Sequence, residues 1–292
     1  MTLREAVAGA AACLASAEHL AGDARRDAEL LLLHTLGISR AQLLANPDRA
    51  LTDEQESCYE DAIRRRLRYE PVQYITGQQE FYGLAFRVTP AVLIPRPETE
   101  HLVEAVLEHF HAEAARPLRI ADVGTGSGAI AVALAAHLAE AEIIATDSSF
   151  EALEVAKHNA SAHDVAARIR FVQVDLLDIP VAVLGGTTSD QFFDAVVSNP
   201  PYIPQMEEAE LHPQVREYEP RAALFGGESG LDVYRRLVPL AMVALKPGGL
   251  LALELGHNQR AALDELLQGW GSVRFIEDLQ GISRVVVARR PT

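Results

Sequence analysis

The amino-acid sequence predicts an α/β protein with a doubly wound, mostly parallel seven-stranded sheet, preceded by a small helical domain. From Thr2 to Tyr69 apolar residues recur three and four positions apart, as in amphipathic helices. Between Gln78 and Pro95 the apolar residues become aromatic or β-branched, which is typical of strands. From Leu118 onward short apolar strands alternate with helical patterns. This alternation predicts a parallel sheet with helices on both faces.

The size and composition favour a folded protein with more than one domain. The chain has 292 residues, of which 49% are hydrophobic and 23% are charged. This length exceeds a typical domain, and the composition allows a substantial core. The 41 acidic and 26 basic side chains give a net charge of -15. That charge argues against broad attraction to a polyanion such as duplex DNA.

Residues 1–75 are predicted to form the helical domain. Gly37 and the dipeptide Asn46-Pro47 interrupt the apolar pattern, because glycine and proline punctuate helices. Thr52 is followed directly by two acidic residues, and a threonine in that position is a common helix N-cap. The first domain is therefore expected to consist of several short helices.

Residues 76–96 are predicted to form a β-hairpin that links this domain to a larger one, with Gly83 at its turn. The larger domain, 97–292, opens with Pro97 and Glu98, and a proline beside an acidic residue is a helix-start signal. The strands predicted after that helix cover 118–123, 142–147, 169–174, 192–198, 249–255, about 272–277 and 283–289. The helices predicted between them cover 128–139, 149–162, 230–245 and about 258–268.

A glycine-rich loop follows the first strand of the larger domain. It consists of Gly124, Thr125, Gly126, Ser127 and Gly128. Glycines let the backbone turn sharply and approach a ligand at a helix N-terminus. Asp147 ends the next strand, where a carboxylate can accept hydrogen bonds from ribose hydroxyls. Because Gly124, Gly126 and Ala129 also match the dinucleotide pattern, the loop predicts a nucleotide-like cofactor without choosing one, and a tight turn without ligand is the alternative.

The third strand of this domain is followed by Asp175. A carboxylate in that position can meet the amino group of an adenine, since ligands bind at the carboxyl ends of the strands. The alternative is a surface or helix-capping acid. Both interpretations of Asp175 stay open at this point.

The fourth strand runs into Asn199-Pro200-Pro201-Tyr202. Consecutive prolines make a stiff turn and leave the Pro200 carbonyl without a local partner, while Asn199 adds an acceptor through its side-chain oxygen. Two adjacent acceptors match the two donors of an NH2 group. An ordinary Asn-Pro turn is the alternative, but its position after a strand, downstream of the glycine loop and Asp147, favours a functional role.

Such a corner suits methyl transfer to a weakly nucleophilic nitrogen. Its two acceptors can hold an NH2 group in line with the sulfonium methyl of S-adenosylmethionine, and Tyr202 adds a flat face. They favour the pyramidal, developing cation of the transition state over the planar ground state of the amide. The corner therefore predicts an N-methyltransferase that needs no strong general base.

Eight stretches carry a family resemblance over nearly the whole chain: Asp27–Leu31, Glu70–Ile75, Phe81–Gly83, Leu93–Glu100, Gly124–Gly128, Asn199–Tyr202, Glu219–Pro220 and Glu254–Gly256. In this order they resemble the release-factor glutamine methyltransferases of the HemK/PrmC type. The resemblance implies a class I, Rossmann-like methyltransferase fold. It also implies methyl transfer from S-adenosyl-L-methionine, with S-adenosyl-L-homocysteine as product, to the N5 nitrogen of the glutamine in the Gly-Gly-Gln loop of bacterial-type release factors.

The resemblance also assigns site residues. It implies that the glycine loop, Asp147, Asp175, Leu176 and Asn199 contact the cofactor. Leu176 stands where some family members carry an aromatic residue, so adenine is expected to stack on an aliphatic side chain. It further implies that the corner Asn199–Tyr202 holds the glutamine, with Asn199 and Pro200 as catalytic residues. Peptide chain release factors are the expected partners, with no direct nucleic acid and no membrane.

Three other functions compete with this one. An adenine N6 or guanine N2 methyltransferase acting on DNA or RNA would present the same NH2 group to the same corner. The net charge of -15 argues against it. A nicotinamide-dependent dehydrogenase would use the glycine loop and Asp147 but leave the corner at Asn199 unexplained. A non-catalytic binding protein with the same fold would have no need of that asparagine.

The remaining chemistry-bearing residues predict little. Cys13 and Cys58 are too few for a disulfide framework, and the histidines have no metal-type spacing, so no metal site is expected.

The run Arg64, Arg65, Arg66 and Arg68 is interpreted either as a solvated helix face or as a partner contact. No apolar run approaches the roughly 20 residues that span a bilayer. The chain is therefore expected in the cytoplasm.

Overall fold

The computed structural model describes residues 1–111, 117–186 and 192–292. The chain divides into two compact units. The helical unit consists of Met1–Gln78 together with Ala209–Glu219. The sheet unit consists of Gln79–Glu208 and Pro220–Thr292.

The helical unit contains the helices that the apolar periodicity predicts. They are α1 (Leu3–Ala15), α2 (Ala24–Leu36), α3 (Arg40–Ala45), α4 (Asp53–Leu67) and α5 (Val72–Thr76). The N-cap predicted at Thr52 is confirmed: its hydroxyl accepts a hydrogen bond from the Gln55 backbone N–H at 3.2 Å. The Gln55 side chain accepts in turn from the Thr52 backbone N–H, which completes a capping box. Reciprocal bonds of this kind fix where α4 begins.

The predicted arginine run is divided between the interior and the surface of the helical unit. Arg66 is buried, and its Nε lies 2.7 Å from the equally buried Asp27 carboxylate. Arg65 forms a two-pronged ion pair with Glu70, with distances of 2.8 and 2.5 Å. Arg64 and Arg68 are exposed, and the Arg64 guanidinium lies 3.5 Å from the Asp61 carboxylate. Periodicity could not reveal this, because the partner of Arg66 lies on another helix.

A second stretch of chain, residues 209–219, completes the helical unit. It contains α9 (Pro213–Tyr218). The Tyr218 hydroxyl donates to the carbonyl of Arg68 at 2.6 Å, and His212 Nε2 lies 3.1 Å from the carbonyl oxygen of His19. This returning segment is therefore held mainly through backbone carbonyls of the first 78 residues.

The sheet unit confirms the predicted seven-stranded α/β fold. Its strands are β3 (Leu118–Val123), β4 (Ala141–Asp147), β5 (Ile169–Gln173), β6 (Phe193–Ser198), β7 (Leu245–Glu254), β8 (Gly271–Glu277) and β9 (Ser283–Arg289). The spatial order is β5-β4-β3-β6-β7-β9-β8. The first five strands in this order are parallel, and β9 pairs antiparallel with both β7 and β8. Helices cover both faces, and the two faces bury separate apolar clusters.

The helices of the sheet unit are α6 (Glu100–Phe110), α7 (Ala129–His137), α8 (Phe150–Ala162), α10 (Arg221–Leu224), α11 (Asp232–Ala244) and α12 (Arg260–Leu266). A short 3-10 helix, Pro97–Thr99, leads into α6, where the proline and acidic residues predicted a helix start. Across the described residues, none of the helices is long and apolar enough to cross a membrane.

Strand β7 begins earlier than the sequence predicts. Lys246 is followed by a proline and two glycines, a pattern typical of a turn, and the predicted strand therefore starts at 249. In the structure Leu245 already pairs with Phe193 of β6, and Gly248 donates its N–H to the carbonyl of Arg290 at 3.0 Å. The pairing passes through an irregularity between Phe193 and Ala195. Partners on both sides therefore hold this stretch in the sheet despite its turn-like sequence.

The predicted hairpin is formed by β1 (Gln78–Phe81) and β2 (Leu84–Arg87). Tyr82 and Gly83 form its turn, and both have positive φ, as a two-residue hairpin turn of this hand requires. Phe81 and the equally buried Phe86 pack into the core of the sheet unit. The hairpin is thus anchored on the sheet unit by its aromatic side chains.

The strand order brings the predicted site residues to one edge of the sheet. Strands β5, β4, β3 and β6 are neighbours and run parallel, so their carboxyl ends meet. Asp175 follows β5, Asp147 ends β4, the glycine loop follows β3, and Asn199 follows β6. Open α/β sheets bind their ligands at this edge.

The buried Arg66–Asp27 pair gives a test of the helical unit. Arg66→Met is expected to lower the free energy of unfolding by about 3–5 kcal/mol, because Asp27 would stay buried without its partner. Arg64→Met, on the exposed face of the same helix, serves as the matched control and should change stability by about 0.5 kcal/mol or less. Urea unfolding of both variants measures the difference. Equal stabilities would contradict a structural role for the pair.

Candidate cofactor and substrate site

A cavity of about 550 Å³ lies at the carboxyl edge of the sheet. Most of the site residues predicted from the sequence line it: Gly124, Thr125, Gly126, Ser127, Asp147, Asp175, Leu176, Asn199 and Pro201. Gly128, Pro200 and Tyr202 do not belong to its lining. The structure therefore brings two sequence motifs, separated by about 75 residues along the chain, to one cavity.

The glycine loop is held against the neighbouring strand β4. The backbone N–H groups of Gly124 and Thr125 both donate to the carbonyl of Thr146 at 2.9 Å. Gly128 caps α7 with a φ of 80° and packs so closely that a Cβ there would lie 3.0 Å from the Cβ of Ala156 on α8. A residue with a side chain would be both strained and crowded at this position.

Asp147 holds the loop as well as lining the cavity. One of its carboxylate oxygens accepts the backbone N–H of Gly126 and the other accepts that of Ser149, each at 2.9 Å. A carboxylate oxygen has room for a further hydrogen bond. The carboxylate is therefore oriented by the protein and keeps acceptor capacity toward the cavity.

Asp122 lies beneath the glycine loop and was not singled out by the sequence. It is completely buried, and its Oδ2 accepts the Thr125 hydroxyl at 2.6 Å and the Ala131 N–H at 3.2 Å. Burial raises the pKa of this carboxyl to about 7, against the lowering effect of these two hydrogen bonds. Asp122 thus ties the loop to the first turn of α7.

Asn159 is a second supporting residue that the sequence did not reveal. Its side chain is buried, and its Oδ1 accepts a hydrogen bond from the Arg87 backbone N–H at 2.8 Å. Its Nδ2 donates to the Arg87 carbonyl at 3.0 Å. It also donates to the carbonyl of Ser127 at 2.8 Å. One amide on α8 therefore connects the hairpin to the glycine loop, and nothing in a helical pattern marks such an asparagine in advance.

Asp175 and Leu176 form the far wall of the cavity. The Asp175 carboxylate pairs with Arg236 of α11, and both residues line the cavity. Leu176 adopts a positive φ of 51°, and its carbonyl accepts the Thr146 hydroxyl at 2.9 Å. This bond fixes the leucine in an uncommon backbone conformation at the cavity edge.

The Asn199–Tyr202 corner presents two acceptors. Asn199 Nδ2 donates to the Thr99 hydroxyl oxygen at 3.1 Å. This bond engages only the NH2 end of the amide and leaves the amide oxygen available to accept a hydrogen bond. Among the described residues, no hydrogen bond reaches the Pro200 carbonyl. The sequence did not single out Thr99, although it lies in a stretch that carries the family resemblance.

The backbone behind the corner is clamped. Gln259 Nε2 donates to the carbonyls of Tyr202 and Gly230, at 2.9 and 3.2 Å, while its Oε1 accepts the Gly256 N–H at 3.0 Å. Gly226 packs against the same turn, and a Cβ there would lie 2.5 Å from the Pro201 carbonyl oxygen. These contacts leave the corner little freedom to move.

The Tyr202 ring points away from solvent toward a buried acid. Its hydroxyl lies 3.4 Å from Oε1 of Glu254, which is 2% exposed. Burial raises the pKa of Glu254 to about 7, and the Thr99 and Tyr202 hydroxyls oppose that shift. Burial, followed by the nearby Glu254 charge, raises the pKa of Tyr202. Tyr202 is therefore a neutral phenol at physiological pH.

Within the residues that the structure describes, no three histidine, cysteine or acidic side chains come together as metal ligands would. The two cysteines are free and exposed. The polar groups around the cavity are instead backbone amides, hydroxyls, carboxylates and one asparagine amide, together with arginines. This set of donors and acceptors suits an organic ligand with hydroxyl and amino groups.

Two protein families match the chain. The PrmC N-terminal domain family matches residues 5–77, within the helical unit. The methyltransferase small domain family matches residues 99–215, which include the glycine loop and the Asn199–Tyr202 corner.

Full-length relatives are similar to the chain from end to end. A release factor glutamine methyltransferase of Koribacter versatilis is 45% identical over 294 residues, covering 100% of both chains. One from Moorella thermoacetica is 45% identical and covers 99% of both, and one from Geobacter sulfurreducens is 43% identical over 91% of this chain and 90% of its own.

Solved structures with low identity share the fold. The hMettl16 catalytic domain, in complex with the MAT2A 3'UTR hairpin 6, has a TM-score of 0.56 at 19% identity, covering 81% of this chain and 82% of that chain. A methyltransferase from Pyrococcus furiosus has a TM-score of 0.51 at 19% identity, over 78% of this chain and 99% of its own. At this level of identity the likeness concerns the fold alone.

Gly226→Ala tests the clamp behind the corner. The added methyl would meet the carbonyl oxygens of Pro201 and Gly230 at 2.5 and 2.7 Å, so backbone must shift. We expect a loss of about 1–3 kcal/mol in the free energy of unfolding. Gly9→Ala is the control, because its Cβ meets nothing within 4 Å and alanine should stabilise α1 by about 0.5–1 kcal/mol. An undisturbed Gly226→Ala protein in thermal unfolding would contradict the clamp.

The buried acid under the loop predicts a pH dependence of stability. Since the pKa of Asp122 is raised from 3.8 to about 7, the folded protein binds a proton that the unfolded chain releases between these values. The contribution of Asp122 is therefore fully present below about pH 4 and is lost as the pH rises toward 7, with a slope of up to about 1.4 kcal/mol per pH unit. Asp122→Asn should flatten this part of the curve. Parallel stability curves for both proteins, measured by chemical unfolding from pH 5 to pH 8, would rule the effect out.

Proposed function

The chain belongs to the release factor glutamine methyltransferase family, and from that premise we propose its reaction. It transfers a methyl group from S-adenosyl-L-methionine to the side-chain amide nitrogen N5 of the glutamine in the Gly-Gly-Gln motif of peptide chain release factors. S-adenosyl-L-homocysteine is the other product. The identity of 45% extends over the whole chain, so both the helical unit and the sheet unit have counterparts in these relatives.

The observation that carries the chemistry is the arrangement of acceptors at the corner. Asn199 is bound to Thr99 through its NH2 group, which leaves its oxygen available together with the Pro200 carbonyl, to which no residue in the described ranges donates a hydrogen bond. A glutamine amide nitrogen has two N–H donors, and two acceptors can bind both. A carboxylate oxygen or a hydroxyl substrate would not match this pair.

We propose that the methyl donor binds in the cavity next to the corner. When bound, S-adenosylmethionine supplies an electrophilic methyl group on a positively charged sulfur. We propose that the glycine loop, from Gly124 to Gly128, approaches it with backbone atoms, and that Asp147 accepts hydrogen bonds from its ribose hydroxyls. Asp175 and Leu176 are proposed to contact its adenine. The volume of about 550 Å³ and the mixed polar and apolar walls support this assignment.

The corner lowers the barrier by holding the glutamine nitrogen. Asn199 Oδ1 and the Pro200 carbonyl accept its two hydrogens and aim its lone pair at the methyl carbon. As the new N–C bond would form and the sulfur–methyl bond would break, positive charge would move to the nitrogen and strengthen both hydrogen bonds, so the transition state would gain more than the ground state. Pro201 keeps the turn stiff, and Tyr202 supports the turn from behind, with its hydroxyl directed toward Glu254. The methylated nitrogen is acidic, so it releases its extra proton to solvent water without a strong general base.

The two units are proposed to have separate tasks. Residues 1–75 would recognise the release factor, the hairpin at 76–96 would link the two parts, and residues 97–292 would bind the cofactor and perform the transfer. The match of residues 5–77 to the PrmC N-terminal domain family supports the first of these tasks. Because release factors act in translation, the cytoplasm is the proposed location.

Methylation of an adenine or guanine amine in nucleic acid is less favoured than protein methylation. The fold is shared with an RNA-bound catalytic domain, but at 19% identity, whereas the release factor enzymes reach 45% over the full chain. The net charge of -15 also opposes binding to a phosphate backbone.

The proposal is tested by incubating the purified protein with S-adenosylmethionine and a bacterial release factor, followed by peptide mass spectrometry. We expect one added methyl group on the glutamine of the Gly-Gly-Gln motif. A release factor with glutamic acid at that position should remain unmodified, because a carboxylate offers no N–H donors. Structured RNA and duplex DNA serve as alternative substrates, and methylation of nucleic acid alone would contradict the proposal.

Asn199→Ala tests whether the Asn199 side chain holds the glutamine nitrogen during methyl transfer. We expect kcat to fall by about 100- to 1,000-fold, as when one positioned hydrogen-bond partner is removed from a transition state. The dissociation constant of S-adenosylmethionine, measured by calorimetry, should change by less than about threefold. Full activity of this variant would remove Asn199 from the mechanism.

A further inference from the structure

Thr99 lies between the catalytic corner and a buried acid. It ends the short 3-10 helix Pro97–Thr99 and is only 4% exposed. Both Thr99 and Asn199 line the cavity. Its Oγ1 accepts a hydrogen bond from Asn199 Nδ2 at 3.1 Å. The Thr99 side chain also forms a hydrogen bond with the carboxyl group of Glu254, at the end of β7.

The number of protons in this group fixes the direction of each bond. An ionised carboxylate only accepts hydrogen bonds, and a hydroxyl has a single proton to donate. When Thr99 donates that proton to Glu254, its oxygen can act toward Asn199 only as an acceptor. Only the NH2 end of the Asn199 amide satisfies an acceptor, so the oxygen end must point the other way.

The opposite orientation of Asn199 would defeat the corner. It would place the amide oxygen against the lone pairs of Thr99 and turn the NH2 group toward the substrate. A glutamine nitrogen offers hydrogen-bond donors, so two donor groups would then face each other. The substrate nitrogen would keep the Pro200 carbonyl as its only acceptor at the corner.

We propose that Thr99 is a positioning residue for methyl transfer: by donating to Glu254 and accepting from Asn199, it fixes the Asn199 amide with its oxygen toward the substrate nitrogen. The proposal rests on the function proposed above, and it adds Thr99 and Glu254 to the residues on which that reaction depends. Neither of them touches the reacting atoms.

The carboxyl group of Glu254 is buried, and among the described residues its Oε2 has no hydrogen-bond partner. The Tyr202 hydroxyl lies 3.4 Å from Oε1, and the Tyr234 hydroxyl donates to the Glu254 backbone carbonyl at 2.7 Å. Glu98 of the 3-10 helix and Arg284 of β9 are the charged groups that act on it. Burial is the largest influence and raises its pKa to about 7, with Glu98 raising it further and Arg284 lowering it.

This titration gives the proposal a signature of its own. Above about pH 7 the carboxylate is ionised and takes the Thr99 proton. Below that pH a protonated Glu254 can itself donate to Thr99, whose own proton is then free to turn toward Asn199. The amide then loses its fixed direction, so kcat is expected to fall as the pH drops through about 7.

The test compares Thr99→Val with Thr99→Ser in release factor methylation. Valine keeps the shape but removes the hydroxyl, and kcat is expected to fall on the order of 10- to 100-fold, with the dissociation constant of S-adenosylmethionine within about threefold of wild type. Serine restores the hydroxyl and should restore kcat to within about threefold. Ser161→Ala, which removes a hydroxyl bound to the Lys157 carbonyl on the surface of α8, controls for the loss of a hydroxyl elsewhere.

Glu254→Gln provides a second, independent measurement. Its amide does not titrate, so the fall of kcat on the acid side of pH 7 should be present in the wild-type protein and absent in this variant. A wild-type pH profile in Glu254→Gln, or wild-type kcat in Thr99→Val, would overturn the positioning role. So would a parallel loss of cofactor binding in Thr99→Val, because that indicates a purely structural residue.

The outcomes separate the two proposals. If the wild-type protein leaves release factors unmodified, the proposed function fails and the positioning role fails with it. If the wild-type and Thr99→Ser proteins methylate the glutamine and Thr99→Val does so equally fast, only the positioning role fails.

Discussion

The hydrogen bond from Asn199 Nδ2 to Thr99 Oγ1, 3.1 Å long, constrains the chemistry of the whole site. An asparagine amide carries donors at one end and an acceptor at the other. With the donor end bound inside the protein, the acceptor end remains for a ligand, next to the Pro200 carbonyl. A pair of acceptors selects an NH2 group, whereas the reversed amide would select a carbonyl. In the proposed reaction, the substrate class therefore depends on the direction of one planar group.

The rest of the sheet edge serves to keep that group and the glycine loop in place. Gln259 clamps the backbone of the corner, and Asn159 connects the glycine loop to the hairpin. Asp122 ties the loop to α7 from below. All three are buried side chains whose polar atoms bind backbone groups or a loop hydroxyl. A positioning network of this kind lowers a reaction barrier because its groups need not reorganise during the reaction.

Much of this architecture follows from local sequence patterns. The seven strands, the hairpin turn and the corner after β6 were predicted because each depends on residues close together in the chain. The early start of β7 was missed, because its proline and glycines are held by pairing with strands distant in sequence. Thr99, Glu254 and Gln259 were missed as site residues for the same reason: their partners at the corner lie 100, 52 and 57 residues away, respectively. Likewise, the sequence presents Arg66 as part of a charge run, and only the structure shows that it is buried against Asp27 on another helix.

The central claim is geometric: the corner grips a primary amide nitrogen opposite the methyl donor. A crystal structure of the protein with S-adenosylhomocysteine and a peptide containing the Gly-Gly-Gln motif tests it most directly. We predict that the glutamine nitrogen lies within hydrogen-bond distance of both Asn199 Oδ1 and the Pro200 carbonyl oxygen, with the cofactor sulfur on its open side. A glutamine bound elsewhere, or a corner turned away from the sulfur, would contradict the account.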